Sequence, residues 1–421
     1  MADDDSAGPT GREVRRTVPL GRPGVLTFRT VPQARCELRR AGEGGRALQG
    51  FSDDEGVVSF VVHGEQRFAP TELTVTCTGA DGTEVVPVVL QCDDVERSDM
   101  PELVGPERHR WENVDHDGRR RRAELDPHSM SAERLRELGY PPKPDPDSEP
   151  DQFAVWTMMA DLPYLPRPDD GIEFDRRGAP PQLKTRIDPG AGPLARKIVG
   201  AFSRPSATSP NWSGAMMRHG AGTYDSVLGF WDVPQVSSDR QELTATCVWV
   251  GLDGYDSNDV VQAGTWAEIF PLLGGHIDSH FSWHEWFPDP ARAVSMRTLP
   301  GDRFFATVWM TGGTANYLVV NRETGESSRG TDSLPSGAMF VGNNAEWVVE
   351  RPSIDTSTQL PMAWFTPVPF EMMWATGPRF SGSRPTASMP STDVIMYDGQ
   401  LLAYPVMRGV DAMTVHCRLA R

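Results

Sequence analysis

The alternation of apolar and polar positions divides this chain into segments of different character. Leu73, Val75 and Cys77 alternate with Thr74, Thr76 and Thr78, the period-two signature of a strand with one buried face. Asp81-Gly82 then supplies a hairpin turn before the apolar run at 85–90, and residues 57–62 form a further strand. These segments predict a small Ig-like β-domain over residues 20–93, behind a polar, disordered tail at 1–19.

Strand signals vanish over residues 94–205, where Pro, Asp, Arg and Glu dominate. The basic run at 119–122 is a solvated charge cluster on this reading. Two short helices are predicted. One is capped by Ser131, with Met130 and Leu135 spaced as a hydrophobic staple, and stops at Gly139. The other covers 151–160 and places Phe153, Trp156 and Met159 on one stripe. The remainder is a Pro-rich connector. From 206 to 421 Trp, Val, Phe and Thr alternate again, punctuated by Gly and Pro at intervals of roughly eight to twelve residues, which predicts one large all-β sandwich or barrel.

Within that region four strands carry candidate chemistry. At 247–254, Val248, Val250 and Leu252 share a core-like face, while Trp249 and Asp253 share the opposite one, facing solvent or a ligand groove. Gln262 lies opposite Val261 and Ala263, and Trp283 shares a face with Glu285. At 343–350, Trp347 and Val349 point into the core, and Asn344, Glu346 and Glu350 point away. Two like charges on one face fit either a solvated edge strand or a reactive surface. His276, His280 and His284 would line one face of a helix, but Gly274-Gly275 and the Trp/Phe alternation predict a strand. With no HExxH pattern they read as surface histidines, and no metal is expected. No GxSxG, Asp-Thr-Gly or Asp-Ser-Gly motif occurs.

Charge and cysteines narrow the classes. A net charge of −17 argues against nucleic acid as a main partner. No run reaches the ~18 apolar residues of a membrane span. The first residues, MADDDSAGPTGREVRR, hold no apolar core of a secretory signal, which leaves localisation open. The five cysteines form no CxxC pattern; Cys36 either pairs with Cys77 or Cys92, or all remain buried thiols.

Five motifs follow one another along the C-terminal half: Asn211-Trp212-Ser213-Gly214-Ala215, Trp249-Val250-Gly251-Leu252-Asp253-Gly254, Gln262-Ala263-Gly264-Thr265, Trp283-His284-Glu285-Trp286-Phe287-Pro288 and Asn344-Ala345-Glu346-Trp347-Val348-Val349-Glu350. In order and spacing this set resembles the eqolisins, the glutamic peptidases, over residues 206–421. The stretch Gly139-Tyr140-Pro141-Pro142 with Trp156 is similar to the segment ahead of the catalytic domain in bacterial members.

The resemblance implies a curved antiparallel two-sheet β-sandwich, jelly-roll or concanavalin-like, whose concave face holds a peptide. It places Gln262 and Glu346 on the catalytic pair, and Trp212, Trp249, Asp253, Trp283, Glu285 and Glu350 on groove and support positions. The implied reaction is acid-acting endopeptidase chemistry by a monomer, with an activated water and no cofactor. From its position ahead of the peptidase-like region, the segment 94–205 is either a linker or a propeptide that covers the groove. Phe281 departs from the family pattern, since fungal members carry an acid two residues before the position of Trp283, and Trp266 puts a large ring beside the site. The alternative is a degenerate sandwich that binds peptide or carbohydrate without cutting; a pure binder needs neither Gln262 nor Glu346.

Overall fold

The computed structural model describes residues 14–19, 23–40, 46–53, 56–64, 68–80, 82–93, 126–137, 140–161, 167–169, 171–174, 205–255, 257, 259–272, 274–354, 358–378, 380–383 and 391–419. The first thirteen residues of the expected tail, the basic run at 119–122, the helix stop at Gly139 and most of the connector lie outside them. The chain forms two compact units. One comprises Met1–Glu107, Ser237–Thr244 and Ala267–His280; the other comprises Arg108–Val236, Ala245–Trp266 and Phe281–Arg421.

The first unit contains β1 (Val14–Pro19), β2 (Pro23–Arg29), β3 (Arg35–Arg40), β4 (Leu48–Phe51), β5 (Val57–Gly64), β6 (Phe68–Gly79) and β7 (Gly82–Asp93). Five of them form a sheet in the order β1-β7-β6-β3-β4, and β2 pairs antiparallel with β5. The alternation behaves as the sequence suggests: Leu73, Val75 and Cys77 of β6 are buried. The β6–β7 hairpin closes at Gly79 and Gly82, where Gly82 adopts φ +132°, a conformation open to glycine. Cys36 and Cys77 are direct cross-strand partners and form a disulfide, while Cys92 is a buried thiol. The last six residues of the expected tail instead form β1, which runs parallel to β7. That pairing uses the backbone groups of the β7 edge, so side-chain alternation gives no sign of it.

The second unit opens with two helices. In α1 (Ala132–Glu137), Ser131 Oγ accepts a hydrogen bond from Arg134 N at 3.2 Å, the predicted cap. α2 (Pro150–Ala160) follows, with Trp156 Nε1 donating to Pro141 O at 3.1 Å. Short strands β8 (Arg167–Pro168), β9 (Ile172–Glu173) and β10 (Ser206–Ser209) lead to β11 (Trp212–Arg218), β12 (Ser226–Asp232) and β13 (Val236–Ser237). Next come β14 (Thr244–Leu252), β15 (Val260–Leu272), β16 (Gly275–Phe287) and β17 (Arg292–Val294), of which Ala267–His280, the end of β15 and the start of β16, belong to the first unit. The run continues through β18 (Arg303–Thr311), β19 (Thr314–Asn321), β20 (Ser327–Ser333) and β21 (Asn344–Glu350). It ends with β22 (Trp364–Phe365), β23 (Val368–Gly377), β24 (Phe380–Ser383), β25 (Ser391–Asp398), β26 (Gln400–Met407) and β27 (Met413–Cys417).

These strands build the expected antiparallel sandwich. In one layer β11 lies between β25 and β21, and β21 lies between β11 and β14. In the other, β12 lies between β23 and β18, and β19 joins β18 to β20. β26 and β27 connect the layers by pairing with β25 and β23. Trp347 bridges the interior: its Nε1 donates to Leu228 O at 2.8 Å, and a Cβ at Gly229 would sit 3.0 Å from its ring. Glycine there lets the indole meet the opposite backbone. The outer face of the second layer is covered by the helices. Leu135, Val155, Trp156 and Met159 pack in one buried cluster with Leu228, Phe230, Phe305, Trp309 and Trp374. Burial of each such side chain contributes about 1.5–3 kcal/mol, so this part of the expected connector is built into the fold.

Candidate active site

β21 is the centre of the site. All seven of its residues are buried, and it has strands on both sides. The solvated-edge reading of Glu346 and Glu350 is therefore wrong: both carboxylates are 0% exposed. Trp249 and Asp253 are likewise buried, so their face is not solvent-exposed either. Alternation tells which residues share a face but not what covers it.

Across the ladders, Glu346 pairs with Met216 of β11 and with Gly251 of β14. A Cβ on Gly251 would lie 2.8 Å from the Trp249 ring and 3.0 Å from Val261 O. At Gly264 a Cβ would lie 2.0 Å from Val248 O. β15 therefore runs tightly along the far side of β14. Gln262 and Glu346 stand on the two strands that flank Gly251, a position with no side chain to separate them.

Both residues are fully buried and differ in their partners. Gln262 Nε2 donates to Glu285 Oε2 at 2.7 Å, while its Oε1 has no partner among the described residues. Neither carboxyl oxygen of Glu346 has one, and no hydrogen bond joins Glu346 to Gln262. An unpartnered buried carboxyl resists ionisation. Burial first, and then the charge of Asp253, push Glu346 well above the ordinary glutamate value of 4.5.

The supporting residues fall into three groups. Glu350 is held by Trp249 Nε1 at 2.8 Å and Asn211 Nδ2 at 3.4 Å, with Trp212 edge-on to Trp249 at 4.8 Å. Asp253 takes φ +67°, a left-handed conformation that aspartate tolerates better than most residues. From there it accepts three backbone N–H groups, from Val341 at 2.6 Å and from Gly342 and Asn343 at 3.0 Å. Burial raises its pKa against the lowering effect of these bonds. Trp283 lies in an aromatic cluster, edge-on to Trp266 at 5.4 Å. There Phe281 stacks on Trp266 at 6.0 Å and meets Phe174 edge-on at 5.2 Å. Phe281, the noted departure from the family pattern, is thus part of an apolar wall.

Two further residues join the site without a sequence signal. Tyr224 is buried, and its hydroxyl is pushed up by burial and by the charge of Glu346. Its backbone N–H donates to Gly342 O at 2.9 Å, within the loop that Asp253 holds. Asp259 accepts from Trp286 Nε1 at 3.3 Å and is raised chiefly by burial. The three histidines of β16 do lie on a strand, but His276, His280 and His284 are buried, which corrects their reading as surface residues.

Residues 210–417 match the Peptidase A4 family. Solved structures similar to this chain include a scytalido-glutamic peptidase with a transition state analog inhibitor, at 21% identity over 50% of this chain and 98% of that one, TM-score 0.42. SCP-B, a member of the eqolisin family in complex with the tripeptide Ala-Ile-His, is similar at 20% identity over 50% and 98%, TM-score 0.39. Aspergilloglutamic peptidase from Aspergillus niger is similar at 28% identity over 42% and 99%, TM-score 0.36. No curated protein matches. On the family match, this chain belongs over residues 210–417 to the Peptidase A4, or eqolisin, family of peptide-bond hydrolases.

Proposed function

We propose that this protein is a glutamic endopeptidase working in the acid range, with Glu346 and Gln262 as its catalytic residues. The observation that carries the reading is a buried carboxyl and a buried primary amide on strands either side of Gly251, each with acceptor atoms left unpartnered among the described residues.

Peptide hydrolysis needs an activated water, a stabilised oxyanion and a proton for the leaving amine. Ionised Glu346 takes the proton from water as general base, and then returns it to the departing nitrogen as general acid. The Glu285 carboxylate, an acceptor, holds one N–H of Gln262 and so fixes which way the amide is turned. The second N–H is then available to the developing oxyanion, and Oε1 to the attacking water. Asp253 ties the 341–343 backbone beside β21 and so steadies the approach to Glu346. Burial and the charge of Asp253 shift Glu346 toward its neutral form. Water entering with the peptide eases its ionisation, so the rate rises toward the weakly acidic end of the range.

The test is cleavage of a denatured protein from acid to neutral pH, in the presence of a chelator and an aspartic-peptidase inhibitor. Wild type is compared with Gln262→Ala and Glu346→Ala. Wild-type activity that resists both reagents and is lost in both variants supports the mechanism. Activity that persists in Glu346→Ala, or that the chelator abolishes, overturns it.

A further inference from the structure

The first unit contains a cluster of ligand-type side chains with no part in the proposed reaction. His276 on β16 is the direct cross-strand partner of His63 on β5, and their rings stack at 4.4 Å with an interplanar angle of 17°. Two residues along β16 and on the same face, Asp278 projects between them. Its Oδ1 lies 2.9 Å from His63 Nε2 and 3.9 Å from His276 Nε2. Its Oδ2 accepts from His280 Nε2 at 2.8 Å. The side chains of His276, Asp278 and His280 are 5%, 1% and 1% exposed, whereas that of His63 is 28% exposed.

We propose that His63, His276 and Asp278 form a binding site for one divalent transition-metal ion of the zinc class. The three donor atoms lie within 4.8 Å of one another. An ion held at about 2.0–2.2 Å by two imidazole nitrogens and a carboxylate oxygen needs donors some 3.2–3.6 Å apart. The measured 2.9 and 3.9 Å bracket that separation, so small side-chain rotations suffice. Two imidazoles with one carboxylate is a donor set that suits zinc, cobalt, nickel and copper far better than magnesium or calcium. His280 is placed as the outer partner: its hydrogen bond to the distal carboxylate oxygen turns Oδ1 toward the ion, as such supports do in metal sites. The exposed edge of His63 gives the ion its way in and leaves a fourth position for water. No residue of the proposed catalytic pair takes part. The ion would be a clip between β5 and β16, two strands far apart in sequence, and would stabilise the folded first unit by mass action.

The experiment uses the tag-free full-length chain, stripped with chelator and titrated with ZnCl2 at pH 7.5. Bound metal is counted by elemental analysis and affinity is read by calorimetry, with Co2+ as a spectroscopic stand-in. One equivalent per chain is expected, together with an upward shift in melting temperature and the ligand-field bands of four-coordinate Co2+. His63→Gln removes the most exposed ligand, so its fold should persist, and it should weaken binding at least tenfold; His280→Gln should weaken it by roughly 10–100-fold as an outer partner. Absence of stoichiometric binding in wild type overturns the proposal. So does binding of equal affinity in a folded His63→Gln protein, because that would assign the ion to other groups such as the cysteine thiols.

Discussion

Glu346 faces Gly251 across the β14–β21 ladder, and a Cβ at Gly251 would press on the Trp249 ring at 2.8 Å and on Val261 O at 3.0 Å. The glycine keeps the space between the strands of Glu346 and Gln262 open. Gly251→Ala should therefore lower kcat/KM at least tenfold by displacing the Trp249 ring or the β15 backbone. The rate and the melting temperature should both be measured. An unchanged rate would show that the opening at this position is not required.

Glu285 acts on the reaction through Gln262. Glu285→Gln preserves shape, but it can offer an amide donor where a carboxylate acceptor stood, so Gln262 is free to flip. The expected result is a fall in kcat of roughly 10- to 100-fold with KM little changed, on the scale of losing an oriented oxyanion donor. A matching loss of stability with normal kcat would make Glu285 a structural residue only.

Asp253→Asn should act in two ways. The amide has one acceptor oxygen where the carboxylate has two, so at least one of the three N–H bonds from residues 341–343 is lost, at a cost of about 1–3 kcal/mol. The variant also removes the charge that raises Glu346, so Glu346 ionises at lower pH and the acid limb of the kcat/KM profile moves down. Chemical denaturation checks the first effect and a pH–rate profile the second. A limb that stays in place would show that burial alone sets the ionisation of Glu346.

Asp225 gives a stability prediction with a defined sign. Burial raises its pKa from 3.8 to about 6. The folded state thus holds a proton that the unfolded chain has already released, and stability falls as pH rises between those values. The contribution is complete below about pH 4 and gone above about pH 6. Asp225→Asn should flatten the decline in melting temperature over this window. Parallel curves for the two proteins would remove Asp225 from the account.

How far the sequence reached can be seen residue by residue. The pattern Asn344, Glu346 and Glu350 against Trp347 and Val349 was legible because side-chain period in a strand is a local property. The Ser131 cap and the Trp156 stripe were legible for the same reason. The burial of Glu346 was not, because the strands flanking β21 come from other parts of the chain. Tyr224 sits in the loop between β11 and β12, outside any strand pattern, and its backbone bond to Gly342 reaches a distant part of the chain. His63 was invisible as a partner of His276 because nothing in a strand pattern reports which distant strand will lie beside it. The parallel pairing of β1 uses backbone groups alone.

The packing of α1 and α2 on β12, β18, β19 and β23 has a consequence for maturation. A cut in the chain between Ala160 and Ser206 would sever the backbone without freeing the sandwich. Trp156, Met159 and Leu135 would still occupy the apolar surface formed by Phe230, Phe305 and Trp309. The processed protein would then be a nicked, two-chain molecule that migrates as two bands only after denaturation. A sandwich stripped of the helical fragment would expose that surface to water and tend to self-associate.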